Sequence, residues 1–398
     1  MKFGIIKEGK KPIDKRVVFS PDALIKFKKK YDGAELFVES SDVRVFSDEN
    51  YRNAGFEVIS DISNCDVLFG VKEVPIENLI ENKTYFFFSH TIKKQPYNKK
   101  LLQACLVKNI TLIDHETLVD NKNVRLIGFG RYAGIVGAYN TLRAFGIKYE
   151  LFNLVKAEKL ESKQDLIERL RKPIMPPIKI VLTGTGKVGM GAKELLDDAG
   201  FKQVDQKSFL NNDFDEPVYI QTDVHEYYRR KDGSVSSKED FIANPNEYES
   251  DFEKFSQVAD IVMAGHFYKD GSPKIITRDM LNAPLNQIKV IGDISCDILG
   301  PIDSTLRSST IENPFYGYYP RENSEVSLDH PAAITIMAVD NLPCELPKDA
   351  SEGFGEMFLE NVIPAFFNND KDGILDRATI CKEGKLTDRF KYLEDYVN

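Results

Sequence analysis

The amino-acid sequence predicts an α/β protein of two domains, each a parallel sheet flanked by helices, and three observations point there. Short apolar runs alternate with amphipathic helical patterns, which is how parallel sheets read in sequence. A strand at Ile178–Leu182 runs into Gly184-Thr-Gly186-Lys-Val-Gly189 and then into a helical pattern. Two further apolar runs, Val67–Val71 and Tyr85–Ser89, stop on ionisable residues: Lys72 and Glu73 after the first, His90 and Lys93 after the second. Carboxyl ends of neighbouring parallel strands are where open α/β sheets bind ligands.

The chain has 398 residues, 42% of them apolar and 29% charged, enough for two domains with real cores. Its net charge of −9 argues against a general nucleic-acid binder, because phosphate binding rests on basic surface. No apolar run reaches membrane-spanning length and "MKFGIIKEGKK" has no signal-peptide core, so no membrane partner is expected and the cytoplasm is the expected compartment. Five scattered cysteines without CxxC or His/Cys ligand spacing read as reduced thiols, with no metal.

The first element is the strand in "MKFGIIKEG", followed by a helix with Ser20 as N-cap and Pro21 at its first position. Residues 110–113 form another apolar run. Before it, "QPYNKKLLQACLVKN" places Leu101, Leu102, Cys105 and Leu106 on one helical face. Residues 1–130 therefore read as one α/β domain. A helix over 129–146, rich in small residues with Gly134 and Gly137 one turn apart, suits a connector that another backbone approaches closely. Pro173, Pro176 and Pro177 then punctuate the chain before the second α/β unit begins at Ile178, and the domain that holds this unit is expected to span 131–340.

In that unit each motif glycine has a task. Gly184 allows the tight turn, Gly186 lets a pyrophosphate approach the backbone, and Gly189 lets helix and strand pack closely. The helix start, with Lys187 and Val188, faces the phosphates with free N–H groups. This is a Rossmann-like pattern, and both domains are expected to be of that kind. Asp205, at the spacing of a ribose-binding acid, favours NAD, while Lys207 could meet a 2′-phosphate, so NADP stays open. "ADIVMAG" (259–265) and "IKVIGDISCD" (288–297) read as the next strands, with Asp293 and Asp297 at the end of the second and Asp340 near the return to the first domain; all three are expected beside the cofactor. The acidic, aromatic segment 209–255 reads as an insertion after the second strand of the unit.

Together these residues resemble the alanine dehydrogenase and transhydrogenase superfamily, and within it the lysine-forming saccharopine dehydrogenases and lysine–oxoglutarate reductases. "KTYFFFSHTIK", "LIDHETLVD", "RLIGFGRYAG", "VYIQTDVHEYYRR" and "VDNLPCELPKDAS" look like the reductase half of the animal and plant bifunctional lysine-degrading enzymes. The resemblance implies an NAD- or NADP-dependent oxidoreductase acting on the CH–NH bond of saccharopine, interconverting it with L-lysine and 2-oxoglutarate. It implies an active-site cleft between the domains, residues 341–398 returning to the first domain, and a monomer or small homo-oligomer.

Carried over by the resemblance, Lys72 and His90 are the proton-transfer pair, Arg16 and Arg125 bind substrate carboxylates, and Glu73 and Glu116 tune the site. Lys93 and Asp14 match positions near the substrate. The residue types suit the chemistry. Imine reduction moves protons at each step, and lysine and histidine can do so near neutrality. Guanidinium forks grip carboxylates in pairs. His115, His225, His266 and His330 carry no catalytic role in this reading. Two alternatives stand beside it: an alanine dehydrogenase-like enzyme, and a cofactor-binding regulatory protein without turnover.

Overall fold

The computed structural model describes residues 1–269 and 271–398. The chain divides into two units: Met1–Phe129 with Pro347–Asn398, and Gly130–Leu346.

In the first unit, β1 (Lys2–Ile5), β2 (Glu35–Glu39), β3 (Glu57–Ile59), β4 (Val67–Phe69), β5 (Thr84–Phe87) and β6 (Thr111–Asp114) are all parallel. The second unit contributes β7 (Lys179–Thr183), β8 (Lys202–Gln203), β9 (Val218–Thr222), the hairpin β10 (Tyr228–Arg230) and β11 (Tyr248–Ser250), then β12 (Ile261–Ala264) and β13 (Val290–Asp293). It closes with β14 (Phe315–Tyr319), β15 (Ser324–Val326) and β16 (Ile334–Met337). The chain then re-enters the first unit as β17 (Thr379–Lys382) and β18 (Lys385–Leu386).

The first sheet is ordered β18-β17-β6-β5-β4-β1-β2-β3, and the second β15-β14-β16-β13-β12-β7-β9-β8. Both are mainly parallel, as the sequence pattern predicts, but each carries antiparallel strands that the pattern does not: β17 and β18 at one edge of the first, β14 and β15 at one edge of the second. Each edge pair is a hairpin, joined by two residues (383–384) in the first sheet and by four (320–323) in the second, and connections that short allow only antiparallel pairing. The two halves of each sheet, built outward in opposite directions, meet at β1/β4 in the first and at β7/β12 in the second, and these are the reversals of the two sheets.

The apolar runs at Val67–Val71 and Tyr85–Ser89 outlast their strands by two residues, so Val71 and Ser89 already belong to the ligand-side loops. Ser20 caps the helix Pro21–Lys30, its Oγ accepting from Ala23 N at 3.2 Å. Phe3, Phe19, Phe27, Phe69, Phe86 and Phe358 fill one face of the first sheet, with tilted and edge-on ring contacts.

The helix Gly130–Lys148 is buried on nearly every side and belongs to the second unit. Its glycines meet the helix Lys187–Ala199. A Cβ on Gly134 would lie 1.9 Å from Val188 O, and one on Gly191 would lie 2.0 Å from Arg131 O. Small residues are required there because the two backbones touch.

The segment 209–255 is not one insertion. Val218–Thr222 is a core strand paired with β7 throughout, and only the hairpin β10/β11 and the helix Lys238–Ala243 are additions. The acidic residues around "VYIQT" obscure that strand in the sequence.

Gly134→Ala should therefore cost about 1–3 kcal/mol or more of stability, as overpacking against backbone does. Gly186→Ala, whose Cβ would meet nothing within 4 Å, should cost much less. Chemical denaturation of both variants checks this; equal midpoints would refute the close approach.

Candidate functional site

At the carboxyl ends of β1, β4, β5 and β6 the first unit gathers a cluster of ionisable side chains. Glu8, from the loop after β1, reaches across the reversal. Its Oε1 accepts from Val71 N at 2.7 Å and its Oε2 from Lys72 N at 3.0 Å. This carboxyl thus pins the turn that carries Lys72 and Glu73. Burial pushes Glu8 up to about 8, and the two N–H bonds only partly offset it.

Asp14 and Arg16 lie under this turn, both nearly fully buried. Arg16 Nε donates to Asp14 Oδ1 at 3.0 Å and Nη2 to Asp14 Oδ2 at 2.6 Å, with the guanidinium 4.2 Å from the Phe129 ring centroid. Burial alone would raise Asp14, but Arg16, with a further contribution from Lys72, holds it down at about 2. The fork expected to grip substrate through Arg16 is thus partly taken by Asp14. Arg125 is the more open guanidinium, 41% exposed, 5.3 Å over Phe88 and 3.9 Å from Glu116.

His90 follows β5 in the left-handed conformation, with φ of 54°. Such backbone is uncommon outside glycine and is often found where a side chain must be aimed. The ring stands between two carboxylates: Nε2 lies 3.9 Å from Glu73 Oε1 and Nδ1 lies 3.6 Å from Glu116 Oε2. Those two buried oxygens have no hydrogen-bond partner among the described residues. Glu73 Oε2 is held by Lys10 at 2.6 Å, and Glu116 Oε1 by Lys93 at 3.2 Å. Burial would push Glu116 up, but His90, Lys93 and Arg125 hold it down at about 2.

Asp114, buried at the end of β6, ties the loops together. It accepts from Ser89 N at 2.9 Å, from the Ser89 hydroxyl, and from Glu116 N at 2.7 Å. His115 next to it is fully buried among Phe88, Phe354 and Phe358, with Nε2 2.8 Å from Gly70 O, and burial lowers it to about 3. It is a neutral core group. The sequence reading thus names Lys72, Glu73, His90, Lys93, Glu116, Arg125, Asp14 and Arg16, and the structure brings all eight to one sheet edge. It misses Glu8, Lys10 and Asp114. Only the rule that ligand groups follow parallel strands could have flagged Glu8 and Asp114; Lys10 has no such signal.

In the second unit a cavity of about 380 Å³ opens at the glycine-rich turn, lined by Gly184, Gly186, Lys187, Val188, Asp223 and Lys238 among others. Gly184 has φ of 92° and a Cβ there would lie 2.5 Å from Gly265 O. On Gly189 a Cβ would strike Gly184 O at 2.0 Å, whereas on Gly186 it would enter open space. The helix Lys187–Ala199 starts there with no side-chain cap, so its first N–H groups face the cavity side. These features fit a dinucleotide phosphate.

Asp205 does not fit its expected role. Chain order puts β8 second, but in space β9 lies beside β7 and β8 is the edge strand. Asp205 is exposed and caps the helix Gln206–Asn211, accepting from Ser208 N at 2.9 Å; Lys207 lies exposed in the same helix. The acid at the end of the neighbouring strand is Asp223, whose Oδ2 accepts from Thr185 Oγ1 at 2.8 Å and from Lys238 Nζ at 3.0 Å. Asp293 is buried and ties its own strand end together, its carboxylate accepting from the Ser295 and Thr305 hydroxyls and from Cys296 N. Asp297 and Asp340 are exposed at the ends of β13 and β16, and with Asp293 their charge bears on Cys296. None of the three lines the cavity at the glycine turn.

Fold and site define a two-unit protein with Rossmann-like parallel sheets and acid–base groups at a sheet edge. Its fold is similar to that of a solved L-alanine dehydrogenase, with a TM-score of 0.66 at 16% identity over 100% of both chains. A transhydrogenase from Sinorhizobium meliloti follows at 0.61, 16% identity and coverage of 97% and 100%. Residues 4–136 match the alanine dehydrogenase/PNT N-terminal domain family. The chain is 28% identical to alpha-aminoadipic semialdehyde synthase of Mus musculus over 410 residues, 91% of this chain and 44% of that protein. It thus spans less than half the length of that relative. It is 24% identical to saccharopine dehydrogenase (NAD(+), L-lysine-forming) of Yarrowia lipolytica over 383 residues, 89% of each. The family model and the two solved structures carry the alanine dehydrogenase and transhydrogenase side of the resemblance drawn from the sequence motifs, and the curated relatives carry its saccharopine side. No helix among the described residues is long and apolar enough to cross a membrane.

Glu8 yields a pH prediction. Its carboxyl is raised in the folded state, so its contribution is complete below the unfolded value of 4.5 and is lost as pH rises through about 8. Wild-type stability should fall relative to Glu8→Gln over that window, at up to about 1.4 kcal/mol per pH unit. Parallel stability–pH curves for the two proteins would show that Glu8 is ionised when folded.

Proposed function

We propose that this protein is a nicotinamide-dependent oxidoreductase that makes or breaks the CH–NH bond of saccharopine, interconverting it with L-lysine and 2-oxoglutarate. The observation that carries the reading is His90 held between the unpartnered oxygens of Glu73 and Glu116, on the loops that also bear Lys72 and Arg125.

The cofactor, when bound, supplies the hydride transfer. Gly184, Gly186, Gly189 and the start of the helix Lys187–Ala199 hold its pyrophosphate, and Asp223 takes the adenosine ribose hydroxyls. Lys238, paired to Asp223, stands where a 2′-phosphate would be read, so both NAD and NADP remain within reach of this lining.

Forming the imine from lysine and the oxo-acid requires a proton to leave the amine and one to reach the departing hydroxyl. Lys72 and His90 are the groups that move them. Glu73 and Glu116 flank the His90 ring, so a proton gained there is balanced by carboxylates on both sides. Arg125 binds a substrate carboxylate. Arg16, clasped by Asp14 and packed against the Phe129 ring, holds the wall of the site. Lys93 and Lys10 hold Glu116 and Glu73 in place.

Two measurements test this. Nicotinamide absorbance should change with L-lysine plus 2-oxoglutarate and not with pyruvate plus ammonia; the reverse pattern makes the protein an alanine dehydrogenase, and neither a non-catalytic binder. Lys72→Met and His90→Gln should each lose at least tenfold in turnover, a floor set below the roughly 10²–10⁴-fold typical of one lost acid or base, and flatten one limb of the kcat/KM pH profile. Wild-type profiles in both variants would remove them from the chemistry.

The ribose assignment has its own test. Asp223→Ala should weaken dinucleotide binding by roughly ten- to a hundredfold, the loss of a charge-assisted hydrogen bond. Asp205→Ala should leave affinity unchanged. Fluorescence titration with NADH and NADPH reads both, and a loss confined to Asp205→Ala would restore the assignment read from spacing.

A further inference from the structure

Thr183 ends β7 and His266 follows β12, the two strands at the reversal of the second sheet. Their side chains meet across it, with Thr183 Oγ1 2.6 Å from His266 Nδ1. His266 is 6% exposed, and it lines the cavity at the glycine turn together with Gly184, Gly186 and Asp223. Burial lowers it to about 4, so the ring is neutral at ordinary pH and carries one N–H.

Hydrogen-bond accounting decides which nitrogen bears it. The Thr183 hydroxyl has no other partner among the described residues, so donation to Nδ1 is the arrangement that leaves its hydrogen satisfied. The N–H then falls on Nε2, which is buried and has no partner among the described residues. A buried donor without an acceptor is costly, and natural structures rarely keep one without a use. Ligands of open α/β sheets cross at such a reversal, outside the carboxyl ends of the strands.

We propose that His266 is a dinucleotide-binding residue, donating from Nε2 to a pyrophosphate or adjoining ribose oxygen as the ligand crosses the β7/β12 reversal, with Thr183 fixing the tautomer. This rests on the dinucleotide reading of the cavity. It adds a contact from the far side of the reversal, opposite Asp223, that the glycine motif does not contain. Met263 and Ala264 of β12 and the close approach of Gly265 to Gly189 hold the residue in place.

Asparagine and glutamine separate the two ring nitrogens. The Asn amide can occupy the place of Nδ1 and keep the Thr183 bond, but does not reach the place of Nε2. The longer Gln amide reaches it. Titration of the purified full chain with NADH and NADPH should show His266→Asn binding about tenfold more weakly than wild type, the loss of one hydrogen bond. His266→Gln should stay within about threefold, and the melting temperatures without ligand should be unchanged in both. Wild-type affinity in His266→Asn overturns the proposal, as does equal weakening in both variants with lowered melting temperatures, which would make His266 a core residue. If the wild type itself binds neither dinucleotide, the reading of the cavity fails first and this contact with it.

Discussion

Where the first sheet reverses, the chain leaves β1 and β4 on adjacent strands, and the backbone N–H groups of the departing turn need acceptors. Glu8 supplies them from across the gap, through Val71 N and Lys72 N. The half of that edge that carries Lys72 and Glu73 depends on this bridge. Lys72 and Glu73 are placed by the turn it holds, Glu73 reaches His90, and His90 reaches Glu116. A carboxyl that accepts two N–H bonds while buried is a rigid staple, since water offers no competing partner there.

A second staple works on the other half of the cluster. Asp114 joins the loop after β5 to the loop after β6 through Ser89 and Glu116 N. Between the two staples His90 is aimed by backbone in a conformation that few residues adopt freely. The lysines pair with one oxygen of each flanking glutamate, leaving the other oxygen turned to the imidazole. An arrangement with unmet hydrogen-bonding capacity in a buried place suits a group that must accept or release a proton.

The second sheet repeats the logic with a different purpose. Its reversal carries the glycine turn, and the close contacts of Gly184 with Gly265 and of Gly189 with Gly184 exclude side chains from the wall. Packing of Gly134 and Gly191 draws the helix Gly130–Lys148 against the helix whose start faces the cavity. The additions after β9 bring Lys238 to Asp223. The sheet's core strands are ordinary; what is particular to this chain lies in the short segments that follow them.

Strand-to-helix alternation, the glycine motif and the ionisable ends of "VKE" and "SH" were legible in the sequence, because each is a local pattern with a local cause. So were Lys72, Glu73 and His90 as neighbours, once parallel strands were expected; Glu116 came only with the family resemblance. Spatial order was not legible. Asp205 sits at the right distance along the chain, but β9 rather than β8 lies beside β7, so the acid at the neighbouring strand end is Asp223. The partners of single groups were also hidden: Asp14 on Arg16, Thr305 on Asp293, Thr183 on His266. Periodicity and spacing record which face or end of an element a residue occupies. Which elements become neighbours, and which buried polar groups find partners, is decided only when the tertiary fold closes and water is excluded.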